Sequence, residues 1–223
     1  MKNTLIVLTL ILALAIGVNA QEEVKGLTGK GIKLGLNFSD LTGDGLEGED
    51  LGNRMGFAAG GFLTYSFSPQ LAVQTEVLYM PKGIEEDISI LDIKVGEYWD
   101  YLEVPILLKY SIPMEGNIKP SFFAGPAFAF LMSAKIKIGD EELDIKDGCK
   151  SMDMGLAIGG GLTYQMTSVA LTFDLRYTMS MTKFVDHEEW NKLESTETIH
   201  LLQFDEDPDV KHSSFSFLVG VSF

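Results

Sequence analysis

Cysteine, long apolar runs and positive charge are all scarce in this sequence, and each shortage excludes a class of protein. Cys149 is the single cysteine among 223 residues, so no disulfide can form within the chain. The one long, almost wholly apolar run, residues 4–18, has about 15 residues, fewer than the roughly 20 that a membrane-spanning helix needs. With 17 Lys and Arg against 32 Asp and Glu, the net charge of −15 excludes a general nucleic-acid binder, whose surface would be basic.

The apolar run near the start is typical of a secretory signal. Lys2 supplies the positive charge that precedes such a run, and Val18-Asn19-Ala20 resembles a signal-peptidase cleavage site. No cysteine follows directly, which argues against a lipoprotein. We therefore predict a cleaved signal peptide at residues 1–20, rather than a membrane anchor, then a short lead at 21–30 and one domain at 31–223.

The last ten residues alternate strictly between two kinds of side chain. Large apolar residues occupy every second position: Phe215, Phe217, Val219, Val221 and Phe223. Such alternation is typical of a β-strand with one apolar face. An aromatic residue in the last position suits the closing strand of an outer-membrane barrel. We predict that this strand pairs with the first strand of the domain and that Phe223 belongs to an insertion signal.

The same alternation recurs seven more times along the chain. The predicted strands cover about residues 31–39, 55–67, 71–80, 99–111, 119–132, 151–166, 169–179 and 214–223. Connections of a few residues alternate with four long ones, at about 40–54, 81–98, 133–150 and 180–211. This order places all short turns at one end of an up-and-down barrel and all long loops at the other. We predict an all-β, eight-stranded antiparallel transmembrane β-barrel with short periplasmic turns, in the cell outer membrane.

Negative charge is concentrated in the four long connections. They contain 24 of the 32 Asp and Glu residues but only 10 of the 17 Lys and Arg residues. We expect four acidic extracellular loops that are kept soluble by mutual repulsion or that recognise a cationic partner or divalent cations. Aromatic residues fall near the strand ends. Because the two membrane interfaces favour aromatic side chains, we also expect two aromatic girdles.

Charged residues recur at the strand positions that face away from the apolar side. This inward set includes Lys33, Gln74, Glu76, Glu103, Lys109, Asp153, Asp174 and Arg176. The interior of an eight-stranded barrel is filled by side chains, and an unpaired buried charge is costly. We therefore predict that Arg176 is held by a neighbouring carboxylate within a structural charge network, rather than lining a gated ion path. The predicted members are Glu76, Glu103, Lys109, Asp174 and Arg176.

Several stretches together resemble the PorT-type outer-membrane β-barrel domain, a family of small Bacteroidetes barrels. They are residues 71–83, 101–110, 119–126, 159–164 and 174–177. The run from Pro105 to Tyr110 is the most specific of them. The resemblance covers about residues 30–223. It implies an eight-stranded barrel that the barrel-assembly machinery inserts by reading the C-terminal strand, and it implies no single activity.

We expect a structural or interaction protein that displays its acidic loops, with a packed lumen and no enzymatic activity. The expected partners are outer-membrane lipid, the barrel-assembly machinery and envelope or secretion proteins that bind the long loops. The alternative is a small-solute channel or a transport- or secretion-associated component. A soluble exported barrel would instead turn its apolar face inward. No phosphate loop or dinucleotide fingerprint occurs in the sequence, and we expect no cofactor.

The last long connection holds residue types that hydrolases use. Three histidines lie in it or just after it: His187, His200 and His212. Serine and carboxylate residues are close in sequence, but a catalytic site needs nucleophile, base and orienting group within mutual reach. Any acidic loop of this length would offer such a set. His187 with Glu188 and Glu189 fits no strong metal-ligand spacing, so we assign no catalytic or metal residues.

Overall fold

The computed structural model of the protein describes residues 25–43, 53–88, 93–139, 141–183 and 210–223. Its strands are β1 (Gly26–Gly43), β2 (Arg54–Ser66), β3 (Leu71–Ile88), β4 (Ile93–Ser111), β5 (Ile118–Ile138), β6 (Glu141–Asp144), β7 (Met152–Gln165), β8 (Ala170–Ser180) and β9 (Val210–Ser222). A 3-10 helix, Lys146–Gly148, follows β6. Within these described ranges, no helix has the length and apolar character needed to cross a membrane.

Eight of the strands close into a ring. They pair antiparallel in the order β4-β3-β2-β1-β9-β8-β7-β5, and β4 also pairs with β5. β9 lies between β1 and β8, with Phe215 opposite Phe38 on one side and Tyr177 on the other. The predicted all-β barrel, including the pairing of its last strand with its first, is confirmed. β6 is a short addition that pairs with the far end of β5.

The barrel wall extends beyond the predicted ends of three strands, β3, β4 and β5, on the side where the long connections lie. β3 continues to Ile88 and β4 begins at Ile93, so most of the loop predicted at 81–98 is a strand hairpin. β5 continues to Ile138, and β6 and the 3-10 helix occupy much of the loop predicted at 133–150. The predicted extents of these loops were wrong. Charged residues do not end a strand that projects into water, because backbone pairing needs no apolar face there.

β1 also differs from its predicted bounds, at both ends. It begins at Gly26, inside the lead predicted at 21–30, and ends at Gly43, inside the first predicted loop. Polar side chains pair across its early residues, where Thr28 Oγ1 lies 2.7 Å from Ser66 Oγ. Most of the fourth predicted loop, residues 184–209, lies outside the described residues.

Large apolar side chains cover the outside of the barrel between two rings of aromatic residues. Ile32, Leu108 and Ile158 are each more than half exposed in the middle of their strands. Exposed aromatic residues near the short turns are Tyr65, Phe67, Tyr110, Tyr164 and Phe223, and those near the long connections are Phe38, Tyr79, Phe130, Tyr177 and Phe215. An apolar belt bounded in this way is the surface that a bilayer surrounds. The segments between the two rings are therefore the membrane-spanning part of the wall.

The backbone ladder is interrupted in the middle of β4 without a change of register. Pairing with β3 stops between Glu103 and Ile106, and pairing with β5 stops between Pro105 and Leu108. Pro105 has no amide hydrogen to donate, and Pro126 on β5 lies opposite the second gap. The interruption therefore follows from missing donors, and neither strand contains an extra residue there.

Two aromatic rings inside the barrel lie against glycines of the next strand. Phe62 and Phe123 are buried, although both disturb the apolar–polar alternation of the sequence. A Cβ atom on Gly31 would lie 2.8 Å from the ring of Phe62, and one on Gly159 would lie 2.6 Å from the ring of Phe123. These two glycines permit an approach that any larger residue would block, so a narrow lumen can hold large side chains.

Candidate functional site

The membrane-spanning part of the lumen contains four buried charged residues in direct contact. The ammonium of Lys33 lies 2.5 Å from Glu76 Oε1 and 2.5 Å from Asp174 Oδ2. Arg176 Nη2 donates to Glu76 Oε2 at 2.7 Å. The residues come from β1, β3 and β8, so the contacts join strands that are not neighbours in the ring. Lys33, Glu76, Asp174 and Arg176 are hereafter the lower cluster.

Polar and aromatic side chains surround the lower cluster. Gln74 Nε2 donates to Glu76 Oε1 at 2.6 Å, and Thr64 Oγ1 donates to Gln74 Oε1 at 3.2 Å. The ammonium of Lys33 lies 5.1 Å from the centre of the Phe62 ring. The guanidinium of Arg176 lies 5.5 Å from the Phe123 ring. Cation–π attraction therefore adds to ion pairing, and the two rings that disturb the sequence pattern support the cluster.

A second, looser group of charges lies nearer the long connections. Lys82 Nζ lies 3.4 Å from Glu103 Oε2 and 3.5 Å from Asp153 Oδ2. The hydroxyls of Ser180 and Thr182 donate to Asp153, each at 2.5 Å. Lys82, Glu103 and Asp153 are hereafter the upper cluster. Its formal charge is −1, whereas the formal charges of the lower cluster cancel.

Above the upper cluster, a group of buried apolar side chains packs together inside the barrel. After β6 the chain turns inward through the 3-10 helix, and Ile145 N donates to Ala134 O at 3.0 Å. Trp99 Nε1 donates to Cys149 Sγ at 3.4 Å. The edge of the His212 ring meets Trp99, with ring centres 4.9 Å apart. The apolar cap is defined as the buried set Trp99, Tyr101, Ala129, Leu131, Ala134, Ile136, Ile145, Cys149 and Val210.

Burial shifts the pKa of three groups at the apolar cap. The cap lies beyond the ring of aromatic residues near the long connections, hereafter the upper aromatic ring. It raises the pKa of Glu97 to about 7 and the pKa of the Cys149 thiol to about 11. Burial, and to a smaller extent the ammonium of Lys82, lowers the pKa of His212 well below its ordinary value. At neutral pH the thiol is therefore protonated and a poor nucleophile, and the imidazole is uncharged.

The outer face of the wall carries exposed ion pairs beyond the same aromatic ring. Glu142 on β6 pairs with Lys135 at 2.8 Å and with Lys137, both on β5. These hydrogen bonds, with that of Lys135 the larger, lower the pKa of Glu142 to about 2. Because the three side chains are exposed to solvent, we expect the pairs to contribute little to stability.

At the opposite end of the lumen, between the lower cluster and the short turns, lies a polar cavity of about 330 Å³. Hydroxyl and amide side chains form much of its lining, and they include Thr28, Thr64, Ser66, Gln74, Thr163 and Thr172. The side chains of Lys109 and Lys119 also line it. The cavity opens at the end of the barrel where the short turns lie, which in outer-membrane barrels is the periplasmic end. It is hereafter the vestibule.

The five residues predicted to form one charge network lie in three places. Glu76, Asp174 and Arg176 belong to the lower cluster, where Arg176 contacts Glu76 directly. Glu103 belongs to the upper cluster. Lys109 lines the vestibule and makes no ion pair with another described residue. All five are buried, so the inward face of each strand lies where the alternation indicates.

The predicted network omitted two cations that hold the clusters together. Lys33 is in the inward set but was not predicted as the partner of Glu76 and Asp174, because sequence alternation does not say which strands face each other across the lumen. Lys82 falls in a segment that was predicted as a loop. Its position, two residues after Met80 and four after Leu78, continues the inward series and was the available signal.

Phe223 lies on the outside of the barrel in the aromatic ring near the short turns. Its side chain is 64% exposed, and its amide donates to Lys30 O at 2.9 Å. The ammonium of Lys30 lies 5.8 Å from the centre of its ring. The residue therefore extends the ladder to the last position and presents an aromatic side chain at the membrane interface.

Residue types that could serve catalysis are described only in part. Ser180 donates to Asp153 within the upper cluster, and the His212 ring packs against Trp99 and Tyr101. The other histidines of the last long connection, and the group His187–Glu189, lie outside the described residues. In the part of the chain that is described, no group of three or more His, Cys, Asp or Glu residues could hold a metal ion.

The fold defines a small outer-membrane β-barrel protein. Its eight antiparallel strands form a closed ring, its outside is apolar between two aromatic rings, and its inside is charged. Residues 19–186 match the family model described as outer membrane protein beta-barrel domain. The chain belongs to this family, and its location is the outer membrane. A search of curated proteins finds no match.

Solved structures of other small barrels are similar to this chain in fold. Neisserial surface protein A is 16% identical, with 89% of this chain and 100% of that chain covered and a TM-score of 0.51. Ail, the attachment invasion locus protein of Yersinia pestis, solved with the heparin analogue sucrose octasulfate, is 18% identical, with coverages of 89% and 99% and a TM-score of 0.43. OprG from Pseudomonas aeruginosa is 14% identical, with coverages of 90% and 98% and a TM-score of 0.43.

Proposed function

We propose that this protein is a non-conducting outer-membrane barrel whose long-connection end binds other components of the cell envelope. The observation that carries the proposal is that two separate barriers lie in series along the lumen. The lower cluster crosses it within the membrane, and the apolar cap closes it beyond the upper aromatic ring.

The lower cluster is the first barrier. Lys33 contacts carboxylates from β3 and β8, and Arg176 of β8 reaches Glu76 of β3, so charged side chains extend from one wall to another. Each residue of the cluster is buried. An ion that passed through would have to break contacts of 2.5 to 2.7 Å in an environment with little water. Separating buried ion pairs is costly, which disfavours steady conduction.

The apolar cap is the second barrier. Trp99 and Tyr101 project from β4 into the lumen, where Ile145 and Cys149 of the returning chain pack against them. Apart from the hydroxyl of Tyr101, such side chains offer a desolvated ion no polar group that replaces its water. The returning segment is joined to β5 by the hydrogen bond from Ile145 N to Ala134 O at 3.0 Å. A solute that entered from the outside would therefore meet a packed apolar surface before it met a charge.

The long-connection end provides the surface for binding partners. The β3–β4 hairpin continues for nine residues beyond Tyr79, to Ile88, which corresponds to about 30 Å along the strand. Most of the acidic residues of the sequence lie in the long connections. A rigid barrel that lifts an acidic surface above the bilayer suits recognition of cationic segments, and charge of one sign steers such partners toward it.

Conductance in planar bilayers tests the closed lumen. We expect the purified, refolded protein to give no steady single-channel current in 1 M potassium chloride, and the Trp99→Ala variant to remain closed because the lower cluster persists. A small porin inserted under the same conditions is the positive control. Steady openings of the unmodified protein would overturn the proposal in favour of a small-solute channel.

Crosslinking in intact cells tests the binding role. A photoreactive amino acid in the last long connection, residues 180–211, is expected to capture one recurring envelope protein, whereas the same group at the lipid-facing position Leu108 is not. Exchange of residues 184–209 for a neutral linker leaves Ser180, Thr182 and Val210 in place, and it should abolish the capture while the barrel still inserts. If the neutral linker leaves capture and envelope integrity unchanged, the interaction role loses its support.

We further propose that the barrel is of the PorT type, as the run from Pro105 to Tyr110 suggests, and that residues 1–20 are removed during export. N-terminal sequencing of the protein from outer membranes should then begin at Gln21.

We propose that the barrel-assembly machinery reads the last strand, with Phe223 as part of the signal. Deletion of Phe223 should slow insertion in cells, whereas Phe215→Leu, in the same strand, should have a smaller effect.

A further inference from the structure

We propose that the vestibule is a binding site for a small, singly charged carboxylate that carries hydroxyl or amide groups and enters from the periplasmic side. This site is independent of the proposed binding role of the long connections, because it lies at the other end of the barrel and below the lower cluster.

Lys109 supplies the charge that such a ligand would recognise. It is 8% exposed, and what remains accessible borders the vestibule. The lumen cations Lys33, Lys82 and Arg176 each contact a carboxylate, whereas Lys109 makes neither an ion pair nor a hydrogen bond with another described residue. A buried ammonium without a partner is costly, and an anion in the adjoining cavity would offset that cost.

The formal charges near the vestibule favour a single negative charge on the ligand. The buried charges are three positive ones, from Lys109 and the two cations of the lower cluster, and two negative ones, from Glu76 and Asp174. Lys119 also lines the vestibule, but its side chain is exposed and its charge is screened by solvent. The excess of one positive charge lies on the vestibule side, while the compensating excess of one negative charge lies in the upper cluster, beyond the lower one. A monoanion would balance this end of the lumen locally, whereas a dianion would leave a new buried charge.

The lining supplies hydrogen bonds of the kind that polyhydroxylated acids or peptide termini use. Thr172 is 5% exposed, and its hydroxyl makes no hydrogen bond with another described residue. Thr64, Ser66 and Thr163 contribute further hydroxyls. Apolar side chains such as Phe62 and Leu71 line the rest of the cavity. A volume of about 330 Å³ is at the lower end of ordinary small-molecule pockets, which restricts the ligand to a compact solute.

Ligand titration of the full-length mature protein in detergent micelles, followed by nuclear magnetic resonance, tests the site. Gluconate is the probe for a free hydroxy acid, N-acetyl-Ala-Ala with a free carboxylate is the probe for a peptide terminus, and sorbitol is the neutral control. We expect at least one of the carboxylates to bind with millimolar affinity and to shift the amide signals of Ser111, Thr172 and Ser222. We expect sorbitol to give no saturable shift.

The Lys109→Gln variant separates the proposed site from unspecific binding. It should weaken carboxylate binding at least tenfold, whereas Lys137→Gln, on the outer face at the other end, should leave binding unchanged. Equal binding by Lys109→Gln, equal binding of sorbitol, or no saturable binding of either carboxylate to the unmodified protein would each overturn the proposal. Which of the two carboxylates binds distinguishes a free solute from a peptide terminus.

A second measurement keeps the test decisive should Lys109→Gln fail to fold. The Thr172→Val variant keeps the size of the side chain and removes its hydroxyl, and we expect it to weaken binding about threefold to tenfold while heat-modifiable migration on a gel stays unchanged. Signal shifts spread over the long-connection end of the unmodified protein, in place of Ser111, Thr172 and Ser222, would contradict the assigned location.

Discussion

The lower and upper clusters lie in one lumen, yet their charges are held differently. Contacts within the lower cluster measure 2.5 to 2.7 Å, and Glu76 serves two cations at once. In the upper cluster Lys82 lies 3.4 and 3.5 Å from its carboxylates, and Asp153 depends on the hydroxyls of Ser180 and Thr182 as well. The first cluster is a tight set of ion pairs, and the second is a looser mixture of charge and hydroxyl contacts.

The difference follows from where each cluster lies along the barrel. The lower cluster is within the membrane-spanning wall, where lipid outside and little water inside leave ion pairing as the means of balancing charge. It also joins β1, β3 and β8, and so stiffens the ring across its width. The upper cluster lies just under the apolar cap, whose packing stabilises the same end of the wall. Loss of a charge should therefore cost more in the lower cluster than in the upper one.

Removal of Glu76 is expected to have the largest effect on stability. Glu76→Ala would leave Lys33 and Arg176 with Asp174 alone, and breaking a buried ion pair in this way costs about 3–5 kcal/mol. The free energy of unfolding should fall by that amount in urea titrations of the protein folded in lipid vesicles, followed by tryptophan fluorescence and heat-modifiable migration.

Two matched variants sharpen this prediction. Glu76→Gln retains a hydrogen-bond acceptor, so it should lose less stability and should fold even where the alanine variant does not. Glu142→Gln removes an exposed carboxylate of the outer face and should leave stability unchanged within error. A result in which Glu76→Gln matches the unmodified protein would show that the lower cluster does not stabilise the barrel.

Removal of Lys82 is expected to have a smaller effect and tests the other half of the comparison. Lys82→Met keeps the length of the side chain and leaves Glu103 and Asp153 without their cation, at a cost of about 1–3 kcal/mol. Asp153 keeps two hydroxyl donors, which limits the loss. The same urea titration applies. Should Lys82→Met prove as costly as Glu76→Ala, the longer contact distances would not reflect weaker coupling.

Alternation was enough to predict the fold because a barrel in a bilayer has one rule for every strand. Residues facing lipid must be apolar, and residues facing the lumen are free to be polar, so a period of two predicts the face of each side chain. Lys33, Glu103 and Arg176 are inward as this rule requires. The rule weakens where lipid ends. The outer parts of β3, β4 and β5 are paired in water, so no lipid-facing apolar series marks them. The alternation that β5 keeps there, through Ala134 and Ile136, faces the apolar cap instead.

Partners across the lumen could not be predicted in the same way. The period of two says that Lys33 and Glu76 face inward, but their contact depends on the tilt and stagger of the strands, which fix the residues that meet at one level. Lys109 is the clearest example. Its sequence context is the same as that of the other inward charges. Its side chain nevertheless borders the vestibule and does not contact a carboxylate. The apolar cap was equally hidden, because Ile145 and Cys149 lie in a short acidic stretch without any period.

The pH dependence of stability should show the smallest effect, and it concerns the capped end. Burial raises the pKa of Glu97 from 4.5 to about 7, so between these pH values the folded protein holds a proton that the unfolded chain has lost. The contribution of protonated Glu97 to the free energy of unfolding is therefore fully present below about pH 4.5 and is lost as pH rises through about 7. Because the side chain keeps some contact with water, we expect a loss of about 1–2 kcal/mol between pH 5 and pH 8.

Glu97→Gln should flatten the dependence of the free energy of unfolding on pH, because the amide does not titrate. The loss of stability caused by Glu76→Ala should persist in the Glu97→Gln background at both pH values. Urea titrations of the four proteins at pH 5 and pH 8 provide the measurement. A carboxyl signal of Glu97 that titrates near 4.5, or an unchanged slope in Glu97→Gln, would mean that water reaches the mouth beside Trp99. The contrast between the buried apolar cap and the open vestibule would then no longer hold, and Cys149 in the same cap would become accessible to thiol reagents.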